Sequence, residues 1–353
     1  MGQFNLCYSP RFDQAIIEQD LSALLVLGAL ADRSLEQWAA RLAERYRIYA
    51  TYYPHAMWAP GLALTLEMHS MTELYLPMDE IRRAFDRLLS IAVRFAADTR
   101  ASTVHNAADW LDELRLLRPP PLSPDPAALL LQLMADEELR RSFIFANFMS
   151  ARHGGGFGRY PGQSAFLREW LKGNRSRLSG PVHCLDAACG GGEGTYELAL
   201  LLIECGFKGA SMRIDGATLE PFELFAAAHC YFPHDPRRTA ECRRVAGTLR
   251  ERGAADNIRF TLEDLTVAGH GGEYDIILCN GFLGGPFLHD SQVLRETMLI
   301  LAGRLRPGGV LMAADRFHGG WKKLADEGML RRILVECGLR ILPVTEGVAG
   351  ARH

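Results

Sequence analysis

The stretch Val182–Ala199, VHCLDAACGGGEGTYELA, carries the pattern that decides the fold. The short run Val182–Ala187 predicts a buried strand, three successive glycines follow it, and a helical pattern begins near Glu193. A strand, a glycine-rich turn and a helix in this order are typical of a ligand-binding turn in a parallel α/β sheet. Glycine is needed where the backbone turns sharply and a ligand approaches the main chain closely. The loop amides and the helix N-terminus favour an acidic ligand, although a tight turn alone also requires glycines.

Short apolar runs alternate with helical stretches from residue 180 onward. The predicted strands are Val182–Ala187, Ser211–Leu219, Ile258–Leu262, Tyr274–Cys279, Val310–Ala314 and Leu339–Val344. The predicted helices are Glu193–Cys205, Pro221–Tyr231, Arg237–Arg252, Ser291–Leu305 and Lys322–Cys337. This alternation predicts a doubly wound α/β fold, with helices on both faces of a parallel sheet. A final antiparallel strand over Val348–His353 is barely long enough, so the sequence leaves its presence open.

The N-terminal part of the chain has a different, all-helical pattern. Apolar residues recur there at spacings of three and four, which places them on one helical face: Ile81, Phe85, Leu88, Ala92 and Phe95. Ser34 and Gln37 have the spacing of a capping box and predict a helix start.

The domain boundaries follow from a break between these two patterns. Arg118–Pro126 is rich in proline and cannot continue a helix. A single helix is expected to follow, from Pro126 to about Phe148. We therefore predict an N-terminal helical domain over residues 1–120, a linker and connecting helix over 121–160, and the α/β domain over 161–353.

Composition excludes several classes of protein. The 353 residues include 39 basic and 42 acidic ones, and a net charge of −3 argues against nucleic-acid binding by bulk attraction. No apolar run approaches the roughly 20 residues that span a bilayer. There is no basic leader of a signal peptide, and the 8 cysteines form no Cys-x-x-Cys pair. We expect a reduced, cytoplasmic protein without a metal site, a disulfide framework or a membrane partner.

Polar residues follow the ends of the next three predicted strands. Glu220 follows the second strand, where an acidic side chain can accept both ribose hydroxyls of a nucleoside. Asp264 and Leu265 follow the third strand, where a carboxylate can meet an adenine amino group, and Asn280 ends the fourth. Any one of these carboxylates could be merely solvated. Because ligands of open parallel sheets bind at the carboxyl ends of the strands, together they predict a nucleoside site.

Two motifs resemble those of class I S-adenosylmethionine-dependent methyltransferases. Residues 186–192, DAACGGG, resemble their first motif, and Leu305–Leu311, LRPGGVL, resembles their Leu-x-Pro-Gly-Gly-x-Leu segment. The resemblance implies a Rossmann-like sheet and S-adenosyl-L-methionine as cofactor. It implies that the cofactor is lined by Asp186, Ala188, Gly190, Gly192, Glu193, Glu220, Asp264, Leu265 and Asn280.

Three segments resemble the CheR-type branch, the chemotaxis-receptor methyltransferases. These are Ala187–Ala199, Ile277–Asn280 and, loosely, Phe157–Arg159. The resemblance implies that Arg159 approaches the substrate or the methionine carboxylate, since a guanidinium binds carboxylates through two parallel hydrogen bonds. The alternative is a surface arginine in a flexible glycine loop.

The sequence also departs from that branch. The small β-subdomain usual there is missing, since Tyr231–Asn257 reads as a charged helix. Glycine occupies a position that is tyrosine in the family, and the first 150 residues are acidic by five charges where the family tends to be basic. These departures weaken the case for a chemoreceptor substrate.

The predicted function is an O-directed S-adenosylmethionine-dependent methyltransferase, with a small-molecule or protein carboxylate or hydroxyl as acceptor. A carboxylate needs no base, whereas a hydroxyl does, and His318 is then the first candidate, with His289 and Glu193 behind it. The plain alternative for His318 is a loop histidine. Two other functions stay open: a CheR-like protein-glutamate O-methyltransferase, and a non-catalytic sensor of the cofactor that binds a partner protein. The aromatic stretch Tyr46–Trp58 is either a core of the helical domain or part of an acceptor pocket.

Overall fold

The computed structural model describes residues 6–53, 57, 62–95, 102–118, 120–148, 156–178, 180–267, 273–285, 288–315 and 324–353. The chain forms two compact units. The sheet unit comprises residues 1–12, 153–231 and 237–353, and the helical unit comprises residues 13–152 and 232–236. Within the described ranges, no helix combines the length and apolar character that crossing a membrane requires.

The helical unit confirms the predicted all-helical pattern. Its helices are α1 (Gln14–Leu24), α2 (Arg33–Tyr52), α3 (Leu66–Tyr75), α4 (Met78–Ala92), α5 (Thr103–Asn106), α6 (Trp110–Leu116), α7 (Pro126–Ala135) and α8 (Glu137–Asn147). The predicted face of α4 is buried, and the Phe85 ring lies 5.6 Å from that of Phe143 on α8. The helix ends at Ala92, so Phe95 lies beyond that face.

Two local predictions for the helical unit were wrong. The cap of α2 is Asp32, whose carboxylate accepts the Leu35 amide, and not Ser34. The single helix predicted after the proline linker is two helices, because Asp136 adopts an extended backbone with φ −103° and ψ 109°. Its carboxylate accepts the Leu139 amide at 2.9 Å and so starts α8 anew.

The sheet unit contains eight strands. They are β1 (Cys7–Tyr8), β2 (Val182–Asp186), β3 (Met212–Thr218), β4 (Ile258–Leu262), β5 (Tyr274–Leu278), β6 (Leu305–Ala313), β7 (Leu339–Leu342) and β8 (Val348–Arg352). Its helices are α9 (Pro161–Gly173), α10 (Glu193–Glu204), α11 (Pro221–His229), α12 (Pro236–Glu251), α13 (Ser291–Gly303) and α14 (Glu327–Glu336).

The strand order is β1-β4-β3-β2-β5-β6-β8-β7, and the five central strands are parallel. β8 is present and runs antiparallel to both β6 and β7, which answers the question that the sequence left open. The predicted doubly wound, Rossmann-like α/β sheet is therefore confirmed. The sequence did not predict β1, which pairs antiparallel with β4 at the edge.

The register of the strands places the carboxyl ends of β2, β3 and β5 side by side. Asp186, the last residue of β2, is opposite Gly216 of β3 on one side and Leu278 of β5 on the other. Buried apolar residues of β2, β5, β6 and α13, among them Leu185 and Leu311, form one cluster that holds these strands in place.

The cysteines depart from the expected fully reduced state. Cys230, at the end of α11, is paired with Cys242 of α12 as a disulfide, with 5.5 Å between the two Cα atoms. This pair ties α12 to the helix that follows β3. The sequence contained no spacing that marks such a pair, because the two residues meet only through the fold of α11 against α12.

Candidate functional site

The glycine loop joins β2 to α10 and is fixed to both neighbouring strands. The Ala187 amide donates to the Leu278 carbonyl at 2.7 Å, and the Cys189 amide donates to the Ala217 carbonyl at 2.9 Å. These bonds hold the loop across the carboxyl ends of β5 and β3. Ala188, between the two donors, is half-buried.

Two positions of this loop are occupied by glycine for different structural reasons. Gly190 and Gly192 both adopt left-handed backbone, with φ 51° and 88°. A Cβ at Gly192 would lie 2.8 Å from the Ala227 Cβ of α11, so close packing excludes a side chain there. A Cβ at Gly190 would meet nothing within 4 Å. Gly192 is thus required by the fold, whereas Gly190 borders open space where a ligand can approach the main chain.

Asp186 links the two elements on either side of the loop. Its buried carboxylate accepts the Thr195 hydroxyl of α10 at 2.7 Å. Burial raises the pKa of Asp186 to about 6. The carboxylate therefore links the end of β2 to the first turns of α10, with the glycine loop between them.

Glu193, the first residue of α10, is paired with an arginine that the sequence analysis did not connect to the site. Its carboxylate is only 3% exposed and forms an ion pair with the Arg238 guanidinium of α12. The sequence analysis predicted a charged helix here and gave it no role. Helix α12 in fact places the Arg238 guanidinium beside the loop. No spacing could have shown this, since 45 residues separate the partners.

Glu220 lies at the carboxyl end of β3, as predicted, and also caps α11. Its carboxylate accepts the Phe222 amide at 3.3 Å. Glu223, one turn further on, accepts the Thr218 hydroxyl at 2.8 Å. Glu220 is half-buried. The carboxylate that is predicted to bind the ribose hydroxyls therefore lies at a strand end and remains accessible to solvent.

The residues after β4 have separate surroundings. Glu263 forms an ion pair with Arg304 at 2.7 Å. Asp264 is exposed and accepts both the amide and the hydroxyl of Thr266, at 2.9 and 2.6 Å. Leu265 is buried in the apolar cluster of the sheet. Of the two carboxylates that follow β4, Asp264 is the more accessible to a ligand.

Asn280 forms a reciprocal amide pair with Gln163 of α9. Gln163 Nε2 donates to Asn280 Oδ1 at 3.0 Å, and Asn280 Nδ2 donates to Gln163 Oε1 at 2.8 Å. Asn280 Oδ1 also accepts the Ala314 amide at 2.9 Å. Sequence reasoning missed Gln163, although a signal existed: it shares a four-residue spacing with the buried Leu167 and Leu171, and a buried amide needs a partner.

The pair brings the segment that carries Arg159 to the same edge of the sheet. The Gly158 amide, next to Arg159, donates to Glu197 of α10 at 3.1 Å. The Arg159 guanidinium carbon lies 5.6 Å from the centre of the Tyr160 ring. Arg159 and Asn280, about 120 residues apart in the sequence, are thus held by connected elements.

Some predicted residues are not placed. His318 lies outside the described residues, and so does Trp58. His289 is exposed just before α13. In the helical unit, Tyr49 is buried with ring contacts to Tyr46 and Tyr53 at 6.4 and 5.6 Å, as a packed core requires.

A separate cluster in the helical unit has metal-ligating side chains. His69, Asp109 and Asp112 place ligand atoms within 4.8 Å of one another. Asp109 contacts the His69 Nδ1 at 2.5 Å and accepts the Asp112 amide at 3.0 Å, so it serves as a helix cap. These contacts give the cluster a structural role at the start of α6.

Comparison with known proteins gives distant relatives. No model of a known protein family matches the chain. A 210-residue stretch is 24% identical to the "Probable biofilm formation methyltransferase WspC" of Pseudomonas putida, covering 56% of this chain and 46% of that protein. The chain thus spans about half the length of this curated relative.

Two solved structures are similar at low identity. One is magnesium protoporphyrin IX methyltransferase (ChlM) from Synechocystis PCC 6803 with bound SAM, at 18% identity and a TM-score of 0.38, covering 62% of this chain and 98% of that one. The other is N-methyltransferase NodS from Bradyrhizobium japonicum WM9 in complex with S-adenosyl-L-homocysteine, at 18% identity and a TM-score of 0.39, covering 61% and 97%.

Proposed function

We propose that the chain is an S-adenosylmethionine-dependent methyltransferase. The observation that carries the proposal is Gly190, which has left-handed backbone and borders open space in the loop after β2. Asp186 ends β2 before this loop, and Glu220 follows the neighbouring strand β3. The similarity to a methyltransferase of Pseudomonas putida supports the same activity.

The residues of the site fit this cofactor. Gly190 leaves room for the ligand beside the main chain, which a side chain would fill. Glu220 accepts the ribose hydroxyls, and Asp264 is accessible for the adenine amino group. Asp186 places a carboxylate near the loop, which suits a ligand that carries a sulfonium and an ammonium group, and Glu193 lies at the end of the loop with its charge balanced by Arg238. Ala188, Gly192, Leu265 and Asn280 complete the proposed lining.

The protein's share of the chemistry is placement. The cofactor supplies a methyl group that the sulfonium has already activated. The chain then has to hold an acceptor oxygen in line with that methyl group and exclude water. Arg159 is the proposed binder of a carboxylate, either of the acceptor or of the methionine part. His318 is the proposed base for a hydroxyl acceptor.

The acceptor is proposed to be oxygen, in a small molecule or a protein. Glutamate of a protein is the second candidate, because Ala187–Ala199 resembles the CheR-type motif. The helix α12 occupies the stretch where that branch carries its β-subdomain, which favours a different acceptor. A non-catalytic cofactor sensor is the remaining candidate.

One experiment separates these functions. One sample of the protein is titrated with S-adenosylhomocysteine. A second sample, without that ligand, is incubated with methyl-labelled S-adenosylmethionine in a cell extract. We expect binding, and transfer of label to an oxygen acceptor. Base-labile label on protein indicates a carboxyl ester and the second candidate. Binding without transfer indicates a sensor, and absence of binding overturns the proposal.

A further inference from the structure

The start of α9 is fastened to three different parts of the sheet unit. The Gly158 amide donates to Glu197 of α10 at 3.1 Å, and the Gly162 amide donates to Glu346 of the β7–β8 turn at 2.8 Å. Gln163 pairs with Asn280 after β5. Residues 158–163 are therefore anchored on both sides of Arg159.

The three anchors differ in how much they specify. A Cβ at Gly162 would lie 2.8 Å from the Glu346 Cβ, so this contact fixes only how closely the chain approaches the turn. The Gln163–Asn280 pair is a closed ring of two hydrogen bonds, and it fixes both distance and orientation. Gln163 is 4% exposed, so water cannot replace a lost partner.

Asn280 connects Gln163 to the ends of two strands. Its Oδ1 accepts the Ala314 amide after β6, while the neighbouring Gly281 amide donates to the Ala314 carbonyl at 2.8 Å. The amide of Gln163 is thus joined to the ends of two adjacent strands. Both polar atoms of its side chain are engaged there, so Gln163 acts through the position it gives to α9.

We propose that Gln163 is a positioning residue that holds Arg159 against the amino-acid part of the bound cofactor. This inference rests on the proposed function. Arg159 precedes Gln163 by four residues, and the intervening Tyr160 packs against the apolar cluster of the sheet. Because Gly158 is bonded to Glu197 and Gln163 to Asn280, the backbone of Arg159 is held on both sides, near the carboxyl end of β5. Arg159 would then hold the methionine carboxylate, a group that a guanidinium can bind through two parallel hydrogen bonds.

Two ligands that differ only in that part of the molecule test the proposal. S-adenosylhomocysteine has the amino-acid part, and 5′-methylthioadenosine lacks it but keeps the adenosine and the sulfur. We expect Gln163→Ala to weaken binding of S-adenosylhomocysteine about tenfold, the loss of one hydrogen bond to a charged group. Binding of 5′-methylthioadenosine is expected to change less than about twofold.

A matched variant and a rescue complete the design. Gln292→Ala removes an exposed glutamine from the first turn of α13, whose side chain donates to Glu296 of the same helix at 3.0 Å, and should change neither affinity. Gln163→Glu has one donor and one acceptor only when protonated. Its affinity for S-adenosylhomocysteine, relative to the wild-type protein at the same pH, should recover from pH 8 to pH 5.5. Thermal unfolding of each variant shows that it is folded.

The outcomes separate the two proposals. If the wild-type protein binds neither ligand, the proposed function is overturned and the role of Gln163 with it. If the wild-type protein binds both, but Gln163→Ala weakens both equally or neither, the positioning role is overturned and the proposed function stands. If Gln163→Ala does not fold, the pH response of Gln163→Glu decides, and equal relative affinity at both pH values overturns the positioning role.

Discussion

Arg238 of α12 neutralises the buried carboxylate of Glu193 at the first turn of α10. A carboxylate at a helix N-terminus is already stabilised by the helix dipole, and the arginine adds a direct partner. The pair joins the charged helix α12 to the glycine loop. Helix α12 therefore has an electrostatic role beside the proposed cofactor site.

The first prediction concerns this pair. Arg238→Ala leaves a buried charge without its partner and should lower the free energy of unfolding by about 3–5 kcal/mol. Adding Glu193→Gln to Arg238→Ala should restore part of that loss. Urea denaturation measures both. Arg331→Ala, which removes the partner of the half-exposed Glu327, should cost at most about 1 kcal/mol. Equal losses of unfolding free energy for the two arginine variants would contradict the prediction that the buried ion pair matters more for stability than the exposed one.

The second prediction separates space for a ligand from backbone strain. Gly190→Val should abolish binding of S-adenosylhomocysteine, because the side chain enters the open space beside the loop. Gly206→Val is the matched control, since Gly206 also has left-handed backbone, φ 83°, and open space around its Cβ. Both variants should lose similar stability, but only Gly190→Val should lose ligand-induced stabilisation in thermal unfolding. Retained binding in Gly190→Val would contradict the loop assignment.

The third prediction assigns two roles to Glu220. Glu220→Ala should lower stability by about 1 kcal/mol, because a helix cap is lost. It should also weaken S-adenosylhomocysteine binding by about 1–3 kcal/mol, the scale of a hydrogen bond to a charged group. Asp326→Ala removes the cap of α14, which accepts the Met329 amide at 2.5 Å, and should affect stability alone. Isothermal titration calorimetry of both variants gives the comparison, and equal dissociation constants would remove Glu220 from the site.

The fourth prediction concerns pH. Burial raises the pKa of Asp186 to about 6, so the folded protein holds this proton up to a higher pH than the unfolded chain does. The resulting stabilisation is complete below about pH 4 and is lost as the pH rises through about 6. Relative to wild type, Asp186→Asn should therefore gain roughly 1–2 kcal/mol of unfolding free energy between pH 5 and pH 8. Urea denaturation at both pH values tests this, and a constant difference would contradict it.

Sequence patterns predicted the regular elements well and the contacts between distant elements poorly. The positions of the glycine loop after β2 and of Glu220 after β3 could be predicted, because tight turns and strand ends leave a pattern in the sequence. Arg238 could not, since its partner Glu193 is 45 residues away. The helical spacing of Gln163 indicates a buried amide, but it does not reveal the partner Asn280, which is 117 residues away. Asp136 broke a predicted helix because an aspartate that caps the next helix competes with continuation. β1 was missed because two residues carry no periodicity.

The pairing of β1 with β4 has a consequence for synthesis on the ribosome. Residues 7–8 leave the ribosome well before their partner strand, which begins at residue 258. At roughly 5–20 residues per second, β1 waits for on the order of ten to fifty seconds while the whole helical unit emerges and can fold. A shortened protein that begins at residue 153 would lack β1 and leave the outer edge of β4 unpaired. Such an edge invites association with other chains, so the pairing of residues 7–8 covers an edge that would otherwise favour aggregation.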